Sequence, residues 1–189
     1  MSVELPNWGV ICLDAPDVRN TDELVPWSDI VASGEIVSFA NGEVRHETGG
    51  STLPVIAHID HVAIHEGSLP ETSDGSLYVA LVAPAGAQAV AESIPIGTEV
   101  LVYGVVQNAP DDADQSPVMK GMPTDQPLYG VVHPAGLVFE LKTRGEEPAL
   151  AWPMYGSVVE GGTIEDALPG EPVPDEVDES GIHEDGSGN

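Results

Sequence analysis

The stretch Ser28 to Phe39, SDIVASGEIVSF, decides the fold. β-Branched residues alternate on both of its faces around Gly34, which is the period of one long strand. An isolated glycine inside a strand marks a sharp bend or a bulge. A small barrel needs such a bend, because one strand must serve two halves of its sheet. Asn41-Gly42 follows at once and predicts a tight turn with positive φ.

Three more strands lie downstream: LPVIAHIDHVAIHE (Leu53 to Glu66), SLYVALVAP (Ser76 to Pro84) and TEVLVYGVV (Thr98 to Val106). Each is bounded by Gly, Pro, Asp or Ser. GAQAVAESIPIG, between the last two, predicts a short helix ended by Pro95 and Gly97. Residues 107–127 have four prolines and no periodicity, the composition of a long solvated loop. Arg144-Gly145 marks the turn of a further hairpin over residues 136–155. From Thr163 the chain turns to Pro, Gly, Ser, Asp and Glu, too few apolar residues to offset the entropy of ordering beyond a turn at TIEDALPG. The predicted organisation is an irregular segment over 1–27 that packs on a barrel domain over 28–160, then an acidic, largely disordered tail over 161–189.

The run SDIVASGEIVSF, the strand ending HVAIHEG, the strand SLYVALVAP and then PIGTEVLVY resemble the small barrels of exported actinobacterial proteins, domains similar to the OB-fold and the netrin-like barrel. The matching positions are Asp29, Val31, Gly34, Val37 and Ser38, then Gly67, then Gly97, Val100, Leu101 and Val102. The likeness spans residues 28–155 and rests on turn and core positions. It implies a mainly β fold: a small antiparallel, OB-like, partly open β-barrel with one short helix and an added C-terminal hairpin. It also implies an exported protein, although MSVELPNWGVICLDAPD has neither the basic nor the apolar region of a secretory signal. Protease inhibition of the netrin-like type is not expected, since it needs disulfide-forming cysteines and Cys12 is the only cysteine.

Charge narrows the partners. The chain of 189 residues carries 32 acidic and 5 basic residues, a formal charge of −27. Ten of the acids fall in the last thirty residues, leaving 17 net negative charges on residues 1–159, so the body is acidic in its own right. Nucleic acid and anionic membrane surfaces are poor partners, because both are bound through Lys and Arg. Basic proteins and cations are the partners it should attract.

The candidate metal ligands are His61 and His65 on the second strand, and Asp111, Asp112 and Asp114 in the long loop. Imidazole with a carboxylate suits first-row metals, and acidic loops bind Ca2+ weakly. On a strand the cluster divides, with His61 and His65 on one face and His58 and Asp60 on the other. No cofactor is expected beyond weakly held Ca2+ or another divalent cation. Trp27 and Trp152 form a binding patch if exposed together, and otherwise pack across the barrel mouth. No nucleophile elbow, phosphate loop or pKa-shifted carboxylate pair is visible. The sequence therefore reads as a non-enzymatic acidic binding or structural module. The alternatives are a nucleic-acid mimic that occupies a basic DNA-binding protein, and a salt-adapted extracellular protein with weak divalent-cation binding. Nothing in it specifies an oligomeric state.

Overall fold

The structure, a computed structural model, describes residues 17–45, 51–71, 73–83, 86–107, 119–142, 147–154 and 157–172. Their strands are β1 (Ile30–Asn41), β2 (Glu43–Arg45), β3 (Ser51–Thr52), β4 (Val55–Gly67), β5 (Leu77–Leu81), β6 (Glu99–Val106), β7 (Met119–Lys120), β8 (Leu128–Val131), β9 (Leu137–Leu141), β10 (Ala149–Trp152) and β11 (Ser157–Glu160). One α-helix, α1 (Gly86–Ser93), lies between β5 and β6. Five strands close a ring in the order β1-β4-β5-β8-β6, with β6 returning to β1.

Closure replaces the partly open barrel expected from sequence, and its cause lies in β1. That strand pairs with β4 along nearly its whole length and with β6 from Ile30 to Glu35. To serve both neighbours it must bend, and its ladder with β4 shifts register three times. One shift falls at Gly34, where a Cβ would stand 2.6 Å from both the Asp60 carbonyl oxygen and Ile59 Cγ2. Only a residue without a side chain lets β4 cross there. Asp29 finishes the seam: its N–H donates to the Gly104 carbonyl at 2.8 Å, and its Oδ2 accepts from the Val106 N–H at 2.8 Å.

The ring is not wholly antiparallel either, since β5 and β8 run parallel. Between them the chain makes α1, β6 and β7, part of the crossover that a parallel pair requires. α1 packs Ala87 and Val90 into the barrel core, and Ile94, just past its end, continues the same face. The Asn41 side-chain oxygen accepts from the Ala87 N–H at 2.9 Å, tying the first turn of the helix to the end of β1. Asn41-Gly42 is not the predicted positive-φ turn. Gly42 lies outside the left-handed region, and what it permits is close approach, since a Cβ would meet Ile56 Cδ1 at 2.8 Å.

The first half of β6, Glu99 to Val102, also pairs with β9, from which β10 and β11 extend as a sheet. The hairpin expected over 136–155 is present as β9 and β10, although its turn at 143–146 lies outside the described residues. The outer face of β1, β6, β9 and β10 is apolar and holds a second core, with Leu101, Tyr103, Val138 and Trp152 at its centre. Two segments cover it. One is the 3-10 turn pair Thr21–Glu23 and Val25–Trp27, which buries Leu24; the other is the 3-10 turn Ile164–Ala167.

That second cover corrects the boundary of the tail, since residues 161–172 are folded onto the barrel. Ile164 and Ala167 are buried, the Tyr103 hydroxyl donates to the Ala167 carbonyl at 3.0 Å, and the Thr21 hydroxyl donates to the Leu168 carbonyl at 2.7 Å. Two buried apolar residues and two hydrogen bonds hold against the barrel a segment whose composition predicts no more than a turn. The rest of the expected tail, 173–189, lies outside the described residues, as does residues 1–16 of the N-terminal segment.

Candidate functional site

Part of the segment expected as a long loop after β6 is strand. β7, near its end, pairs with β2, and β2 pairs with β3, so the connections flanking the barrel strands join in a small three-stranded sheet. Lys120 on β7 is ion-paired with Glu43 on β2. Beyond β7, Met122 packs on the outer barrel face against Ile56, Tyr78 and Leu128. This sheet and the loop before β5 frame a patch of the outer face of β4 and β5.

The patch is built around His58 and Tyr78, cross-strand partners whose rings stack with centroids 4.7 Å apart and planes 15° apart. Tyr78 is buried and His58 half-buried over it. The Tyr78 hydroxyl donates to Asp74 Oδ2 at 3.2 Å, and the Ser76 N–H donates to Asp74 Oδ1 at 2.9 Å. The side-chain oxygen of buried Gln126 accepts from the Asp74 N–H at 3.2 Å, fastening the loop before β5 to the loop before β8. Asp60 follows two residues after His58 on β4, and its Oδ1 accepts from the His61 N–H at 3.1 Å.

The electrostatics follow from these contacts. The Ser76 backbone N–H holds the Asp74 carboxyl below the usual carboxylate range, with the Tyr78 hydroxyl acting in the same direction. Burial raises the Tyr78 phenol above its ordinary value, and the charges of Asp74 and Asp60 add to the rise. Asp74 is thus a fixed negative charge at neutral pH, beside a neutral phenol. One polar atom is unmade: His58 Nε2 is buried and has no hydrogen-bond partner. A buried polar group without a partner costs about 1–3 kcal/mol.

The residues singled out by sequence are more scattered. β4 carries two of the register shifts against β1, one across His61-Val62 and one at His65. His61 takes a φ of 53°, a left-handed conformation rare outside glycine. The simple alternation expected of His58, Asp60, His61 and His65 is therefore broken. His61 and His65 are both exposed, and His65 Nε2 lies 2.9 Å from the Ser33 hydroxyl. Among the described residues no three His, Cys, Asp or Glu side chains converge as metal ligands. Asp111, Asp112 and Asp114 lie outside the described residues. The two tryptophans are not a joint patch: Trp152 is 2% exposed within the outer core, whereas Trp27 is 45% exposed and tilts against His133 at 6.3 Å.

Sequence reasoning missed Asp74 and Tyr78. A signal was present in Ser73-Asp74-Gly75-Ser76, since Asp accepting from the N–H two residues on is a turn that Asp-Gly-Ser favours. Comparison with family models, with curated proteins and with solved structures finds no match for this chain.

Proposed function

We propose that this protein is a non-enzymatic acidic β-barrel whose task is to bind a basic partner protein, with a Lys or Arg side chain of that partner received at His58, Tyr78, Asp74 and Asp60. The observation that carries the reading is the stacked His58–Tyr78 pair, which joins a fixed carboxylate to an imidazole nitrogen lacking a partner. A guanidinium or ammonium group finds there a carboxylate to pair with and a π-face to rest on. The surplus of 27 negative charges steers such a partner toward the surface before contact.

The ring order supports the resemblance to OB-type barrels. Counted around the barrel alone, the third and fifth strands (β5 and β8) are the parallel pair, and the helix lies between the third and fourth. OB barrels bind ligands on the face of their second and third strands and on the loops beside it, which here are β4, β5 and the connections joined in the small sheet. Where such a barrel would hold nucleic acid it needs basic residues and stacking aromatics. This face offers Asp60 and Asp74 instead.

The test is titration of the isotope-labelled protein with a tetra-arginine peptide, read by amide chemical shifts at about 0.05 M and about 0.5 M KCl. The reading expects shifts centred on His58, Tyr78 and Asp74, weakened by salt and reduced about tenfold in affinity in an Asp60→Asn, Asp74→Asn double variant. Shifts spread evenly over all acidic positions, or unchanged in the variant, would overturn it.

A further inference from the structure

The barrel ring closes, but the sheet that continues from it has an end. β11 pairs with β10 on one side and, among the described residues, with nothing on the other. Such an edge presents unpaired N–H and C=O groups that invite another strand, and proteins blunt it with bulges, inward charges, Lys or Pro. Another unpaired edge among the described residues shows that blunting. β4 pairs with β5 only as far as Ile59, and its free remainder carries two bulges, the left-handed His61 and the charges of Asp60 and Glu66.

β11 has none of these devices. Its sequence is Ser157-Val158-Val159-Glu160, its register with β10 is regular, and its valines are 37% and 40% exposed although they point to opposite faces. The direction of its free groups follows from the ladder. The Gly161 N–H donates to the Pro148 carbonyl at 2.8 Å, so by alternation Val159 and Ser157 bond to Leu150 and Trp152. Val158 and Glu160 then aim their N–H and C=O groups away from β10. The two faces beside the edge are apolar: Leu150 and Trp152 belong to the outer core, and Ala151 to the barrel interior. The charge is of one sign. Glu160 lies at the end of β11, Glu147 lies beside Gly161, and no Lys or Arg occurs on β10 or β11.

We infer that the free edge of β11 is a docking edge for an extended basic segment of a partner protein, added as a further antiparallel strand. A Lys or Arg of that segment stands opposite Glu160, and apolar residues stand opposite Val159 and Val158. Cross-strand pairs of these kinds stabilise a sheet, and the backbone bonds supply the rest. A second copy of this chain is the wrong occupant, because it would bring another 27 negative charges to the same edge. The inference rests on reading the chain as a module for a basic partner, and it names a second contact at a different place from His58 and Tyr78.

The experiment uses the full chain, isotope-labelled, with the capped hexapeptide TKVVTK and its acidic counterpart TEVVTE. Binding in the range of about 0.1–1 mM is expected for the basic peptide, with shifts and slowed exchange at the Val158 and Glu160 amides. Val158→Pro removes an outward N–H that β10 does not use, so binding should be lost while the Leu150 and Val159 amides stay protected. Glu160→Lys is the second variant: it should weaken the basic peptide at least fivefold and strengthen the acidic one. The docking edge is wrong if both peptides bind alike, if Val158→Pro binds as well as the parent, or if the chain alone sediments as a dimer with those amides protected. Shifts confined to His58, Tyr78 and Asp74 would sink the docking edge and leave the binding-module reading standing. An absence of shifts anywhere would sink both.

Discussion

Gly34 shows how much one missing side chain can carry. β4 crosses β1 so closely that a Cβ at this position meets the Asp60 backbone at 2.6 Å, and backbone cannot rotate away as a side-chain tip can. Gly34→Ala should therefore destabilise the fold by about 1–3 kcal/mol, read as a lower midpoint in urea with little change in slope. A loss under about 0.5 kcal/mol would mean that the crossing relaxes. Asp74 makes a prediction in pH. Its folded pKa lies below the unfolded value, so its contribution is full above the unfolded carboxylate range and is lost as pH falls through the folded pKa. The stability gap between the parent and Asp74→Asn should hold from neutrality to about pH 5 and then close as the solution grows more acid. A gap independent of pH down to about 2 would contradict the role given to its hydrogen bonds.

The elements differ in how plainly the sequence announces them. β1, β4, β5, β6 and α1 were legible because each combines a period with a punctuating residue, and the bend at Gly34 was legible as a glycine inside a strand. β11 was not, and of the 3-10 turn Ile164–Ala167 only the turn itself was expected, not its burial against the outer core. Four residues are too short to show a period, and the turn is ordered by what it touches rather than by what it contains. Glu140, buried on β9, accepts from the Ile164 N–H at 2.9 Å and from the Lys142 ammonium at 2.9 Å, contacts between residues that are far apart in sequence or have no pattern of their own. The site around His58 was half legible: His58 and Asp60 stood out as a pair, but the ring stacked under His58 comes from another strand. The strap formed by residues 163–172 also predicts a clean comparison. A chain ending at Gly162 should lose on the order of 3 kcal/mol, the worth of burying Ile164 plus the Tyr103 and Thr21 hydrogen bonds, whereas a chain ending at Pro172 should match the parent in thermal midpoint. Equal midpoints for the two would show that the strap is incidental.

At the scale of the molecule the balance is between a closed, apolar ring and a surface of one sign. Self-repulsion among 27 surplus negative charges opposes compactness, and salt screens it within a Debye length of about 10 Å at 0.1 M. The thermal midpoint should climb by several degrees between about 0.05 and 2 M KCl. CaCl2 at matched ionic strength should give the same curve if screening is the whole cause, and a steeper one if a cation is bound specifically. A flat response to both would mean that the charges lie too far apart to matter. The pairing of Asn20 with Pro172 has a mechanical consequence. The Thr21 N–H donates to the Glu171 carbonyl on the inner side of that antiparallel bridge, so Asn20 and Pro172 stand together at the outer end of the pair. Tension applied at Asn20 and Pro172 would open these contacts one at a time, like a zip, instead of shearing them together. The cover over the outer core would peel away at low force while the barrel beneath, loaded only afterwards, keeps its shape.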